Sequence, residues 1–369
     1  MRIIQVLLWM TLCLPVFSHA EAKLEKVSVC LPRFRHEFLS LLTLEGIDQS
    51  FFKKRGLDVT VLYSGERGNG NGGVWRNVGR GPITRPANLD RQVASQVGEH
   101  PEICAFGSSN VDRFIMDPAQ QEWTTPLLVS AYGNQYDTHI MVAKNSNIKS
   151  PKDLKGKSIR VGQLPTYFAT LQVLRNSGLG AKDVRFEGDH DSIEKVEALK
   201  AGRIAGLVTY MPLTAYMLAS GDFRSIAANI VKENIQNSIP HSLLIVNKAY
   251  AAKSPAVVTA FREAMMDAYQ YLMRNPSEVV RIVERHSMQL NGVPWKVSDV
   301  VAERSGTFVG KVLMVDLTAA GEIEQKKKIL CDIGQYNKKM KEQTFFTSET
   351  DFSRWFGVES KDLNCAKGV

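Results

Sequence analysis

From Glu25 onward, short apolar runs alternate with segments whose apolar residues recur at helical spacing, and this alternation confines the chain to α/β architecture with mainly parallel sheets. VSVCL, residues 27–31, reads as the first strand. Glu37 to Lys54 reads as the first helix, with Phe38, Leu41, Leu42, Leu44 and Ile47 on its apolar face. Gly56 closes that helix, and LDVTVLY is the second strand. A helix through Gln92, Val93 and Val97 then ends near Gly98 and leads to the strand ICAFG and the loop SSN. A second helix, with Ile193, Val196 and Leu199 on one face, ends at Gly202 and leads to the strand IAGLVTY and to Met211-Pro212. The same layout, roughly a hundred residues apart, predicts two lobes built on a common plan. Between them, DLKGKSIRVG carries Asp153 and Gly156 into a strand, and the next helix has Pro165 in its first turn and Leu174 and Leu179 flanking its exit at Gly178. After HSLLIVNKAY, residues 241–250, helices are expected over Pro255 to Arg274, Pro276 to Met288 and Ala320 to Lys341.

A chain of 369 residues has room for two cores. Its opening, MRIIQVLLWMTLCLPVFSHA, has Arg2, an apolar run broken by Pro15, and small residues at Ser18 and Ala20. That pattern is a secretory signal peptide cut after Ala20, because the run is shorter than the roughly 20 residues a spanning helix needs. Cys13 lacks the small residue that precedes a lipidated cysteine. Removal of the signal leaves Cys30, Cys104, Cys331 and Cys365 in a compartment that permits disulfides. Cys331 and Cys365, both in a polar carboxy-terminal region, are expected to pair; Cys30 and Cys104 lie in apolar runs where a bridge and buried free thiols remain equally open.

The formal charge of +8 comes from lysines and arginines that are scattered along the sequence, with one dense run at Lys326-Lys327-Lys328 that reads as a solvated helix surface. Nucleic-acid binding would need a basic stripe interleaved with aromatics, and none is present, although a basic surface favours an anionic ligand or partner. Gly68, Gly70 and Gly73 spell G-x-G-x-x-G after the second strand. A dinucleotide fingerprint must open a helix whose amino terminus meets the pyrophosphate. Here Gly79, Gly81, Pro82 and Pro86 forbid a regular helix, so the match is fortuitous and the insertion is either surface decoration or a lid carrying Trp75.

Glu45-Gly46-Ile47, Gly56 to Val59, Ile103 to Asn110, Asp153-Leu154-Lys155-Gly156-Lys157, Gly178-Leu179, Ala198 to Arg203 and Thr209 to Pro212 occur in an order that resembles the type II periplasmic solute-binding proteins of ABC importers, in the branch that binds aliphatic sulfonates, taurine, nitrate and thiamine precursors. The resemblance covers about residues 25–285. It implies a two-lobed α/β fold with a ligand cleft between the lobes, crossing segments near Asp137 to Val142 and His241 to Val246, one lobe of residues 21–137 plus 246–369 and another of 138–245. It also implies a monomer in the periplasm that captures a small organic molecule and passes it to a membrane permease, with no cofactor, no metal and no catalytic residue. Ala205 and the turn Gln163-Leu164-Pro165-Thr166 depart from the family pattern and mark a specialised subfamily.

In open α/β lobes, ligands sit off the carboxyl ends of strands. Arg33, after the first strand, can pair with an acidic ligand or serve as a surface arginine. Ser108, Ser109 and Asn110 can present hydroxyls and a helix amino terminus to an anion, or simply cap that helix. Tyr132 and Tyr210 follow strands and can sandwich a flat ligand or pack in the cores. Gln163, Thr166 and Tyr167 open the helix of the second lobe, where free N–H groups can hold an anion, and His241 lies at the return crossing.

The alternatives are a periplasmic sensing subunit and an enzyme of the related pyrimidine-synthase type. His190 between Asp189 and Asp191 reads as a solvated turn, because consecutive residues point in different directions. The chain contains no G-x-S-x-G, H-E-x-x-H or C-x-x-C.

Overall fold

The computed structural model describes residues 23–32, 38–64, 96–111, 114, 118–132, 138–161, 164–188, 193–210, 213–234, 239–287, 296–308 and 312–318. The signal segment, the glycine-rich insertion, His190 with its neighbours, Lys326-Lys327-Lys328, the expected helix from Ala320, and Cys331 with Cys365 lie outside them.

Strand β1 (Glu25–Pro32) leads to helix α1 (Phe38–Asp48) and the short α2 (Phe51–Lys54), then to β2 (Leu57–Ser64). One helix was expected where α1 and α2 now stand. The break falls at Ser50, which sits in the left-handed region at φ 60° after two further polar residues, Asp48 and Gln49. Gly56 takes φ 77° and turns the chain from α2 into β2, a conformation that disfavours a side chain. Next come β3 (Phe106–Asn110), α3 (Pro118–Trp123) and β4 (Thr124–Tyr132).

The chain then enters a second sheet through β5 (His139–Ala143), β6 (Ser158–Val161), α4 (Leu164–Asn176), β7 (Arg185–Gly188), α5 (Ile193–Lys200), β8 (Gly206–Thr209), α6 (Leu213–Ser220), β9 (Phe223–Ala227) and α7 (Ile230–Asn234). It returns through β10 (Ile239–Asn247) to α8 (Lys248–Lys253), α9 (Pro255–Arg274), α10 (Glu278–Arg285), α11 (Asp299–Phe308) and β11 (Val312–Asp316). Among the described residues, no helix is long and apolar enough to cross a membrane.

The six-stranded sheet runs β11-β4-β10-β3-β1-β2 and the five-stranded sheet β7-β6-β8-β5-β9. Both are mixed rather than mainly parallel: β1 pairs in parallel with β2 and β3, and β6 with β7 and β8, while β10, β11, β5 and β9 pair antiparallel. The cause is topological. A chain that leaves one sheet at its carboxyl-end edge and crosses by a short segment must enter the next sheet at the facing edge, so β5 and β10 run against their neighbours.

Residues 239–245, expected in the second lobe, pair with β3 and β4 in the first sheet as part of an unbroken β10. The first sheet's β4 ends at Tyr132 and the second sheet's β5 begins at His139; α7 packs in the second core and ends at Asn234, and β10 of the first sheet begins at Ile239.

The first core packs α1, α9 and α10 against the six-stranded sheet, with Phe106 stacked on Phe261 at 4.0 Å between ring centroids and Phe261 against Phe52 at 4.8 Å. Glu45 of α1 is fully buried, and Arg285 of α10 bonds to it while also reaching Asp48 at 2.9 Å and Glu278 at 2.7 Å. Burial pushes the Glu45 carboxyl up, against the pull of that guanidinium. The second core is formed by Ile140, Leu154, Ile159, Leu174 and Val208 on one face and Met141, Leu199, Leu207 and Met217 on the other. Helix α11 packs on α10 and also on α6, and Tyr216 of α6 packs against the cluster of Val280, Val297 and Ala302.

Cys30 and Cys104 are bridged. This resolves the choice the sequence left open at these two residues.

Candidate functional site

Parallel strands β1, β2 and β3 all end on one edge of the first sheet; β4 ends there and β10 starts there. β3 was expected over ICAFG but begins at Phe106, because Ile103 and Cys104 are held in a turn by the His100 carbonyl and the register with β1 pairs Val29 with Phe106. Ser108, Ser109 and Asn110 are therefore strand residues, all three buried, and helical backbone begins at Val111 directly after Asn110. Side chains alternate along a strand, so Phe106, Ser108 and Asn110 share one face.

That face changes character toward the edge. Phe106 pairs with Val246 and Ser108 with Leu244, whose other neighbour is Leu128; these apolar residues belong to the first core. One step further out, Asn110 pairs with Ser242, and Ser242 pairs with Ser130. All three are buried, at 4%, 0% and 0% exposure, and the Ser130 hydroxyl lies 3.5 Å from the Ser242 carbonyl. Ser40 adds a fully buried hydroxyl in the first turn of α1 that has no hydrogen-bond partner among the described residues.

The second sheet repeats the arrangement. β6, β7 and β8 end on one edge, where β5 begins. His139, the first residue of β5, pairs with Thr209, the last of β8. Thr209 and Thr214 share a hydroxyl–hydroxyl bond of 2.7 Å, both fully buried. His139 Nδ1 lies 3.2 Å from the Ser225 hydroxyl, and burial lowers its imidazole to about 4, so it is neutral at pH 7. Thr166 is buried in the first turn of α4, with its carbonyl accepting the Thr170 hydroxyl at 2.6 Å.

Tyr210 follows β8 as expected and is buried. Tyr132 ends β4 opposite Ile239 and Val312, Tyr167 lies in α4, and His241 lies inside β10. Arg33, Trp75 and Gln163 fall outside the described residues. Four residues were missed from sequence: Ser130, Ser242, His139 and Thr209. A polar residue closing an apolar strand run, as in LVSAY or GLVTY, was the available signal.

The periplasmic aliphatic sulphonate binding protein SsuA from Escherichia coli matches the structure with a TM-score of 0.57 at 14% identity, over 90% of this chain and 91% of that one. This is the periplasmic binding protein fold. The periplasmic nitrate-binding protein NrtA from Synechocystis PCC 6803 matches at 0.58 and 11% identity, over 92% and 87% of the two chains. A third match is to the desulfurization enzyme DszB, at 0.54 and 15% identity over 92% and 98%. Residues 105–279 match the NMT1/THI5-like family. No curated protein matches the chain in sequence. The two-lobed binding-protein architecture that the motif order implied is thus present, and the same fold carries both binding proteins and an enzyme.

Proposed function

We propose that this protein is an exported solute-binding protein that takes up a small organic molecule between its two sheets and passes it to an ABC importer of the inner membrane. The observation that supports this reading is the buried polar row Asn110, Ser242 and Ser130 at the carboxyl-end edge of the first sheet, matched by His139 and Thr209 on the equivalent edge of the second. These groups are a carboxamide, hydroxyls and a neutral imidazole, which suit a ligand fixed by several directional hydrogen bonds. The lobes follow the sheets, with β1–β4, β10 and β11 in one and β5–β9 in the other. Arg33, Trp75, Gln163, Thr166, Tyr167 and Tyr210 complete the proposed site, with the insertion around Trp75 as a lid.

Thermal-shift screening of small sulfonates, carboxylates, amines and pyrimidines tests the reading. A ligand at a hundred times its dissociation constant adds about 2.7 kcal/mol of stability. Asn110→Ala and Thr209→Val should each weaken that ligand at least about tenfold. An enzyme is the second reading, favoured by the match to DszB along nearly its whole length. Chemical conversion of the bound compound would establish it and overturn the first.

A further inference from the structure

Cations that are dispersed in sequence between residues 144 and 203 converge on one edge of the second sheet. β5 ends there and β6, β7, β8 and β9 begin there, so this edge is opposite to the one that holds His139 and Thr209. The connection from β5 to β6 places Lys144, Lys149, Lys152, Lys155 and Lys157 on it, all exposed. The turn from α4 to β7 adds exposed Arg175, Lys182 and Arg185. The turn from α5 to β8 adds exposed Lys200 and Arg203.

Among the described residues, four carboxylates share the edge, and three of them are engaged locally. Asp153 accepts the backbone N–H groups of Lys149 and Ser150, each at 2.9 Å; Asp183 accepts that of Gly180 at 2.7 Å; and Asp222 pairs with Lys200 at 2.7 Å. Glu197 is the fourth. Among the described residues of this edge, ten exposed cations against four carboxylates leave an excess of six positive charges. The edge of the first sheet where β1 and β2 begin is balanced instead: Lys23, Lys26, Lys53 and Lys54 mingle with Glu25, Asp58, Glu99 and Glu102, and Arg55 is held by Glu263 and Asp267.

The composition of the patch identifies its partner. Seven of its ten cations are lysines, compact charges on flexible stems rather than planar forks. Among the described residues, the exposed large hydrophobic side chains are Trp123 and Val300, and neither belongs to this edge. Protein interfaces are rich in aromatics and arginine and poor in lysine, with a few buried anchors carrying the affinity. A lysine-rich surface without anchors fits a diffuse anionic layer. We propose that this edge of the second sheet docks the protein onto an anionic phospholipid surface, leaving the opposite, ligand-binding edge exposed.

The test is partition of the mature chain between buffer and vesicles, which does not depend on the ligand or on solute binding. Binding is expected to phosphatidylcholine vesicles containing about one third phosphatidylglycerol and not to phosphatidylcholine alone, and it should vanish at about 0.5 M salt. Each lysine near such a surface contributes roughly fivefold, so Lys149→Glu/Lys152→Glu/Lys155→Glu should lose at least about a hundredfold. Lys53→Glu/Lys253→Glu, on the other sheet's layer, should stay within about twofold of the parent. If the triple charge reversal impairs folding, the corresponding triple change to Gln should move partition in the same direction with an unchanged melting curve. Equal binding to both vesicle types, salt-insensitive binding, or parent-like partition of the triple variants overturns the proposal. So does binding confined to an acidic protein surface, such as the importer in neutral lipid.

Discussion

Cys30, within β1, and Cys104, two residues before β3, are joined by a disulfide with Cα atoms 5.7 Å apart. The bond ties two neighbouring parallel strands at a sequence separation of 74, and so closes the loop that contains α1, β2 and the glycine-rich insertion. Cross-linking a loop of that length removes entropy from the unfolded chain worth about 4 kcal/mol. Cys30→Ala/Cys104→Ala should therefore lower unfolding free energy by about that amount, read from denaturant melts. Peptide mapping without reduction should recover the Cys30–Cys104 pair, and it also tests the proposed Cys331–Cys365 bridge. Free thiols at Cys30 and Cys104 in the exported protein would contradict the finding.

His139 makes the fold sensitive to acid. Its folded-state value is about 4, lowered by burial, whereas an exposed imidazole titrates near 6.5. Between these values the unfolded chain binds more protons, so stability falls as pH drops from about 6.5 to about 4, by up to ~3 kcal/mol. His139→Gln should flatten this slope, reducing the difference between pH 7 and pH 5 by about 2 kcal/mol. An unchanged slope would show that the imidazole is not the group responsible.

Arg285 holds α10 against α1 through Glu45 and Asp48. Arg285→Ala should destabilise by about 2 kcal/mol, because it leaves the buried Glu45 carboxylate without its cation. Glu45 can take up a proton in response, so the loss should be smaller at pH 5 than at pH 8. Adding Glu45→Gln to Arg285→Ala should recover part of the loss at pH 8, and equal losses at the two pH values would refute this account.

Much of the local structure was legible because it depends on residues close in sequence. The helix expected over Pro255 to Arg274 has those bounds, since proline suits a first turn and its apolar face repeats at helical spacing. Leu179 donates to the Leu174 carbonyl past Gly178 at the expected exit of α4. The late start of β3 was not legible, because register with β1 decides it, and the split of α1 from α2 showed only as the polar run Asp48-Gln49-Ser50 within an apolar pattern.

What the sequence by itself determined is the set of elements, their order and the two-lobed α/β plan, through backbone preferences and apolar periodicity that act over a few residues. The tertiary structure alone decided which distant strands pair. That choice inserted β10 between β3 and β4, brought Cys30 to Cys104, aligned Asn110 with Ser242 and Ser130, and gathered scattered lysines onto one edge. The physical reason is that strand order is selected by the burial of faces contributed by segments a hundred or more residues apart, as when β10 joins Ser242 to Ser130. No local pattern carries that information.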